Sequence, residues 1–261
     1  MNKVHDILLL QMATLLCLYA ICTGSIAQQR PVRPFEVPLK ISDASADVEF
    51  QFVRIVYDGG YEWPRWSADW PEAEFHFSQG VNRLTRLRTA TQGKVLSLQD
   101  SALFDHPWIY MVEVGHLSLS ESESDNLREY LLRGGFLMID DFHGSQEWRH
   151  FIGVFKSVFP DRALVELDSD AEIFHIHLPV SERIQIPGIR SVMRNRTWEK
   201  GGYNPGWYGI HDDSGRVMVV VNFNQDIGDA WEHADDARYP AAYTFSAYRI
   251  GINYVLYAMT H

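Results

Sequence analysis

The sequence predicts an α/β fold, flavodoxin-like or doubly wound, with a mainly parallel sheet and helices on both faces. Three observations carry this expectation. Apolar runs without alternation recur at Trp108–Val112, Phe136–Ile139 and Val217–Val221, as expected of strands covered on both sides. Stretches of helical period separate them, which implies right-handed crossovers between parallel strands. Each run also stops at polar turn residues, which gathers chemistry at the strand ends.

The elements follow in order. Phe50 to Tyr57 reads as a strand ending at Asp58-Gly59-Gly60. A tryptophan-rich loop through Trp63, Trp66 and Trp70 comes next. Phe75 to Leu87 has helical spacing, and Lys94 to Leu98 is a short strand. Trp108–Val112 runs into Glu113. Ser120 and Glu123 are spaced as a capping box, so a helix starts there; Leu127, Tyr130 and Leu131 form its apolar face. Gly134-Gly135 ends it. Phe136–Ile139 leads into Asp140-Asp141-Phe142-His143. Glu147 to Phe159 is a helix closed by Pro160, and Ala163 to Leu167 a strand. Residues 168–210 hold short segments and many turn residues, and are expected to be an insertion or cap over one edge. The last helix spans Thr244 to Met259, with Phe245, Tyr248, Ile252, Val255 and Met259 on one face.

The N-terminus is expected to direct export. Lys3 precedes an apolar run from Ile7 to Ile21, and Ser25-Ile26-Ala27 offers small residues where a signal peptidase reads. The run is shorter than the roughly 20 apolar residues of a spanning helix. Residues 1–27 are therefore read as a cleaved signal, in preference to an anchor. Residues 28–47, with Pro31, Pro34 and Pro38, read as a linker, and 48–261 as one domain. The mature chain is then periplasmic or secreted, with no membrane span.

Composition limits the chemistry. Both cysteines, Cys17 and Cys22, lie in the signal, so the mature chain lacks a disulfide, a thiolate metal site and a cysteine nucleophile. There are 34 Asp and Glu against 23 Lys and Arg, which argues against nucleic acid as a partner. No P-loop, G-x-G-x-x-G, H-E-x-x-H or G-x-S-x-G motif is present.

If the sheet is parallel, the polar strand ends share one edge. Asp58, Glu113, Asp140, Asp141, His143, Asn222 and Asn224 are the candidates for a cleft there, with Asp226 following the last of them. Glu232 and His233, in a loop before the last helix, are expected to fold over it. Turns favour Asp, Asn and Gly in any case, so the same pattern also fits separate turn caps. Asp140 and Asp141 should point opposite ways in extended backbone. His175 and His177 alternate on an apparent strand; two histidines at that spacing suit zinc only with a third ligand. No cofactor is named by the sequence.

Four stretches carry a resemblance. They are Phe52 to Gly60, Leu131 to Gly144, Gly228 to Asp236 and Tyr248 to Tyr254. Together they resemble the bacterial domain-of-unknown-function family numbered 4159, over roughly residues 50–261. The resemblance implies a fold like that of class I glutamine amidotransferases. It does not imply their activity, which needs a cysteine on a strand-to-helix elbow. Some members carry the domain behind membrane-spanning segments in larger envelope proteins. No catalytic residue carries over.

Two functions compete. One is a noncatalytic envelope domain that holds a small ligand or an envelope protein in its cleft. The other is a carboxylate/histidine hydrolase acting on an envelope carbohydrate or peptide, with or without a metal.

Overall fold

The computed structural model describes residues 48–60 and 64–261. The expected signal and linker, and Trp63, lie outside the described residues. A seven-stranded sheet has the order β2-β1-β3-β4-β7-β6-β5. The strands are β1 (Val53–Val56), β2 (Lys94–Ser97), β3 (Trp108–Val112), β4 (Phe136–Asp140), β5 (Val165–Glu166), β6 (Gly206–His211) and β7 (Val217–Phe223). The neighbours β2, β1, β3, β4 and β7 are parallel. β6 runs antiparallel to β7, and β5 antiparallel to β6. The expected α/β class and mainly parallel sheet are thus present. The antiparallel edge comes from 163–223, where the sequence offers no periodic helix to make a further crossover.

Every residue of β3 and β4 is buried, which is why these strands show no alternation. Trp108, Tyr110, Phe136 and Met138 face one core. It is filled by α1 (Glu72–Leu84), α5 (Ile227–Glu232) and α6 (Ala241–Thr260). The intervening Ile109, Met111, Leu137 and Ile139 are buried on the opposite side. α2 (Glu121–Leu132) and α3 (Gly144–Val158) pack against each other. The capping box at α2 forms as expected, with Ser120 Oγ accepting from Glu123 N and Glu123 Oε2 accepting from Ser120 N.

One buried cation ties the sheet to the loop that follows β1. Arg54 and Glu74 are fully buried and paired, linking β1 to α1. Arg54 also donates to the carbonyls of Trp66 (3.0 Å) and Ala68 (2.8 Å). It thereby sets the loop bearing Arg65 and Asp69. Burying an unpaired charge is costly, so each of these bonds matters to the loop's position.

Several expectations need correction. His175 and His177 are not on a strand. They follow a 3-10 turn, Glu172–Phe174, and bond to different carbonyls, Ser169 and Leu84. The segment around Glu232 is not a loop, because α5 ends at Glu232. α1 starts three residues earlier than its apolar period, since its first turn is Glu72-Ala73-Glu74. Residues 168–210 include the short helix α4 (Ile189–Val192) and pass over the carboxyl ends of the parallel strands.

The chain order reverses at β1. The connection from β1 runs to one side, to β2, while β3, β4 and β7 follow on the other. At such a switch point the loops leave in opposite directions and a crevice opens outside the strand ends.

Candidate functional site

The strand ends turn sharply at this edge. Glu113 follows β3 with φ 54°, Asp141 follows β4 with φ 47°, and Asn224 follows β7 with φ 58°. Asp69 and Lys200, from the covering loops, have φ 62° and 45°. Among the described residues six non-glycine residues have positive φ, and all but Asn195 surround this edge. Left-handed backbone costs roughly 1–2 kcal/mol per residue, so its concentration here reflects side chains re-aimed by the fold.

Four of those residues line a cleft of about 500 Å³: Asp69, Glu113, Asp141 and Lys200. Glu199, Asp226, Asp229 and Glu232 add carboxylates, and Arg65, Arg190 and His233 add basic groups. Seven carboxylates therefore face three permanently cationic side chains. A recess of similar size adjoins it, shares Arg65 and Lys200, and is lined by His116, His143, Glu147 and His150.

Burial and mutual repulsion disturb the proton affinities. Burial first, and the Asp141 charge next, push Glu113 up to about 7, against the pull of Lys200. Burial and Asp141 likewise hold Asp69 and Asp226 well above the usual carboxylate range. Asp229 is pushed up to about 7, again chiefly by burial. Lys200 Nζ lies 2.7 Å from Glu147 Oε1 and 3.6 Å from Glu113 Oε2. Burial opposes its charge, but these carboxylates and Asp141 outweigh that and raise its pKa. His143 Nε2 meets Asp141 Oδ1 at 3.0 Å. Burial disfavours the charged ring, yet the bond and charge of Asp141 prevail and raise its pKa.

The sequence candidates divide into two sets. Glu113, Asp141, Glu232 and His233 line the cleft, and His143 stands behind Asp141 in the adjoining recess. His233 Nε2 is 3.4 Å from Glu232 Oε2 and 3.5 Å from Asp229 Oδ1. The other four do not line the cleft. Asp58 is exposed and accepts from Gly60 N at 2.8 Å. Asp140 points inward and accepts from Ile227 N and Gly228 N, both at 2.8 Å, and from Tyr110 Oη at 3.1 Å. Asn222 is buried between Ile139 O and Tyr254 Oη. Asn224 accepts from Gly144 N and donates to Asn204 O. These four hold turns and elements in place. Asp140 and Asp141 do diverge, but through a left-handed turn at Asp141 and not through the alternation of extended backbone.

Sequence reasoning missed Asp69, Glu199, Lys200 and Asp229. Asp69 sits in an aperiodic loop, and Glu199 and Lys200 in the segment that was hardest to read. Asp229 had a signal. It stands three residues after Asp226, whose Oδ1 accepts from Asp229 N at 3.0 Å as a helix cap.

The sequence profile of the domain of unknown function DUF4159 matches residues 51–259. The chain belongs to the DUF4159 family. It has no significant match among curated proteins. The match spans every strand of the sheet and every acidic residue of the cleft, so the site lies wholly within the DUF4159 domain. No helix among the described residues is long and apolar enough to cross a membrane. Chemically, the DUF4159 cleft offers oxygen donors in excess, one strongly held lysine, and a histidine–aspartate pair at its back.

Proposed function

We propose that this DUF4159 domain is exported and serves in the cell envelope, periplasmic or secreted, as a binding domain. Its carboxyl-edge cleft would hold a small ligand, or a side chain of an envelope protein, that is cationic or carries a cation. The observation behind this reading is the excess of seven carboxylates over three permanent cations in one cleft. Such crowding raises the cost of keeping the carboxylates charged, and a cationic ligand offsets that cost. The amidotransferase-like fold implied by the family resemblance would be used without its chemistry, since residues 48–261 contain no cysteine.

A thermal-shift screen of amines, amino sugars and metal salts tests the reading. A ligand of the native state stabilises it by about 2.7 kcal/mol at a hundred times its Kd. A cationic compound should raise the melting temperature of the wild type and do so less for Glu199→Gln. If no compound stabilises at millimolar concentration, or the variant responds equally, the reading fails.

The carboxylate/histidine hydrolase remains a second reading, favoured by the pair of Asp141 and His143 at 3.0 Å. Asp141 would orient the ring and support its charge while His143 moved a proton to or from water. Turnover of an envelope glycan or peptide that is abolished in His143→Gln would establish it.

A further inference from the structure

Within the cleft, three carboxylates from two separate segments come together. Asp69 belongs to the loop after β1, and Asp226 and Asp229 to the cap and first turn of α5. One oxygen of each lies within 4.8 Å of the others. We propose that Asp69, Asp226 and Asp229 form a binding site for a hard divalent cation of the calcium type. This rests on the reading of the carboxyl-edge cleft as the binding site and names what one part of it takes.

The first argument is the donor set. All three side chains offer carboxylate oxygen, which suits calcium, magnesium and manganese over softer metals. The three oxygens all lie within 4.8 Å of one another, so a cation with metal–oxygen bonds of about 2.4 Å, as calcium has, can bridge any pair of them.

The second argument is independent of the charge count. Asp69 Oδ2 is buried and has no hydrogen-bond partner among the described residues. Its two partners each have one oxygen committed. Asp226 Oδ1 accepts from Asp229 N, and Asp229 Oδ2 accepts from Ile189 N. Asp69 thus brings to the cluster a buried oxygen that accepts no hydrogen bond from a described residue. Lys200 is engaged with Glu147 and Glu113, and Arg54 with Glu74 and two carbonyls.

The third argument is the backbone around the cluster. A Cβ at Gly228 would come within 2.5 Å of Asp69 Oδ2, and one at Gly188 would collide with Asp226 Oδ2. Glycine at these two positions lets the chain approach the carboxylates closely. Glu232 at the end of α5 and His233 just after it adjoin Asp229 and would complete the coordination.

The test is calcium titration of protein stripped with EDTA, followed by calorimetry and by terbium luminescence. Wild type should bind one ion, with a melting temperature that rises by several degrees. Asp69→Asn should weaken binding at least tenfold and leave the stripped protein as stable as wild type or more so, because the buried Oδ2 has no hydrogen bond to lose. Asp226→Asn keeps the capping oxygen and should weaken binding likewise. Asp213→Asn, on an exposed residue paired with Arg162, should bind as wild type does. The inference is overturned if wild type responds to none of calcium, manganese and magnesium, or if both cleft variants bind unchanged. An amine that still binds in the cleft while no metal does would overturn this inference and leave the binding domain standing. Silence to both would overturn the two together.

Discussion

Asp140 and Asp141 are chemically identical neighbours with opposite fates. Asp140 ends β4 still extended, so its side chain passes into the core between β3 and α5. There it gathers two backbone amides and the Tyr110 hydroxyl. Asp141 turns left-handed and faces the cleft and His143. Removing the first should cost stability, and neutralising the second should not. Asp140→Ala leaves three buried donors without an acceptor, at about 1–3 kcal/mol per orphaned group, partly relieved by water. An overall loss of about 2–4 kcal/mol is expected, measured by urea unfolding. Asp141→Asn should stay within about 1 kcal/mol of wild type or gain, since it removes a charge that repels Glu113, Asp69 and Asp226. If the two variants unfold alike, the division of labour is wrong.

At the scale of elements, α5 shows how a short helix positions a site. It has six residues, begins at the Asp226 cap, and is anchored through its first two amides to Asp140. Gly228 in its first turn packs against Asp69 and Tyr110, and a Cβ would stand 2.5 Å and 2.6 Å from their oxygens. Gly228→Ala should therefore destabilise by about 1–3 kcal/mol, as overpacking usually does. It should also displace Asp69 and weaken calcium binding; a calorimetric titration identical to wild type would refute the packing argument. The same helix marks a limit of sequence reading. Six residues are too few to display a helical period, so Trp231 to Asp236 reads as loop. α2 was legible because Ser120 and Glu123 announce its start, and β3, β4 and β7 because both their faces are buried. The site was half legible. Residues at strand ends inherit a position from the sheet, which brought Glu113 and Asp141 into view. Asp69, Glu199 and Lys200 reach the cleft from aperiodic segments, and nothing in their spacing says where such segments fold. Asp58, Asp140, Asn222 and Asn224 fall outside the cleft for the reverse reason. Strand ends also need caps, and a cap and a ligand group use the same side chains.

For the whole molecule, the parallel sheet imposes a cost that its pH dependence should reveal. By collecting strand ends on one edge, it brings carboxylates together that the unfolded chain keeps apart in water. Glu113 and Asp140 are both raised to about 7, principally by burial and then by Asp141. Their ordinary values are 4.5 and 3.8. Between those values and about 7 the folded state therefore holds protons that the unfolded state has released. Stability falls with rising pH wherever the native state binds more protons, so it should decline from about pH 4.5 to about pH 7. The raised pKa of His143 acts in the same direction, because its proton is also held more tightly when folded. The lowered pKa values of His106 and His116 oppose it, as neutral rings favoured by burial gain from higher pH. Glu113 and Asp140 are worth on the order of 1–3 kcal/mol each across the window, and should prevail over the two partly exposed histidines. In EDTA, the urea midpoint should thus be higher at about pH 5 than at about pH 7.5, with the slope shallower in Glu113→Gln. Saturating calcium should lift the midpoint most at the upper end, because only the deprotonated carboxylates bind the ion and each proton lost there is replaced by metal. A midpoint that climbs steadily from pH 5 to pH 7.5 in EDTA would mean that the edge is not the strained, proton-holding surface described above.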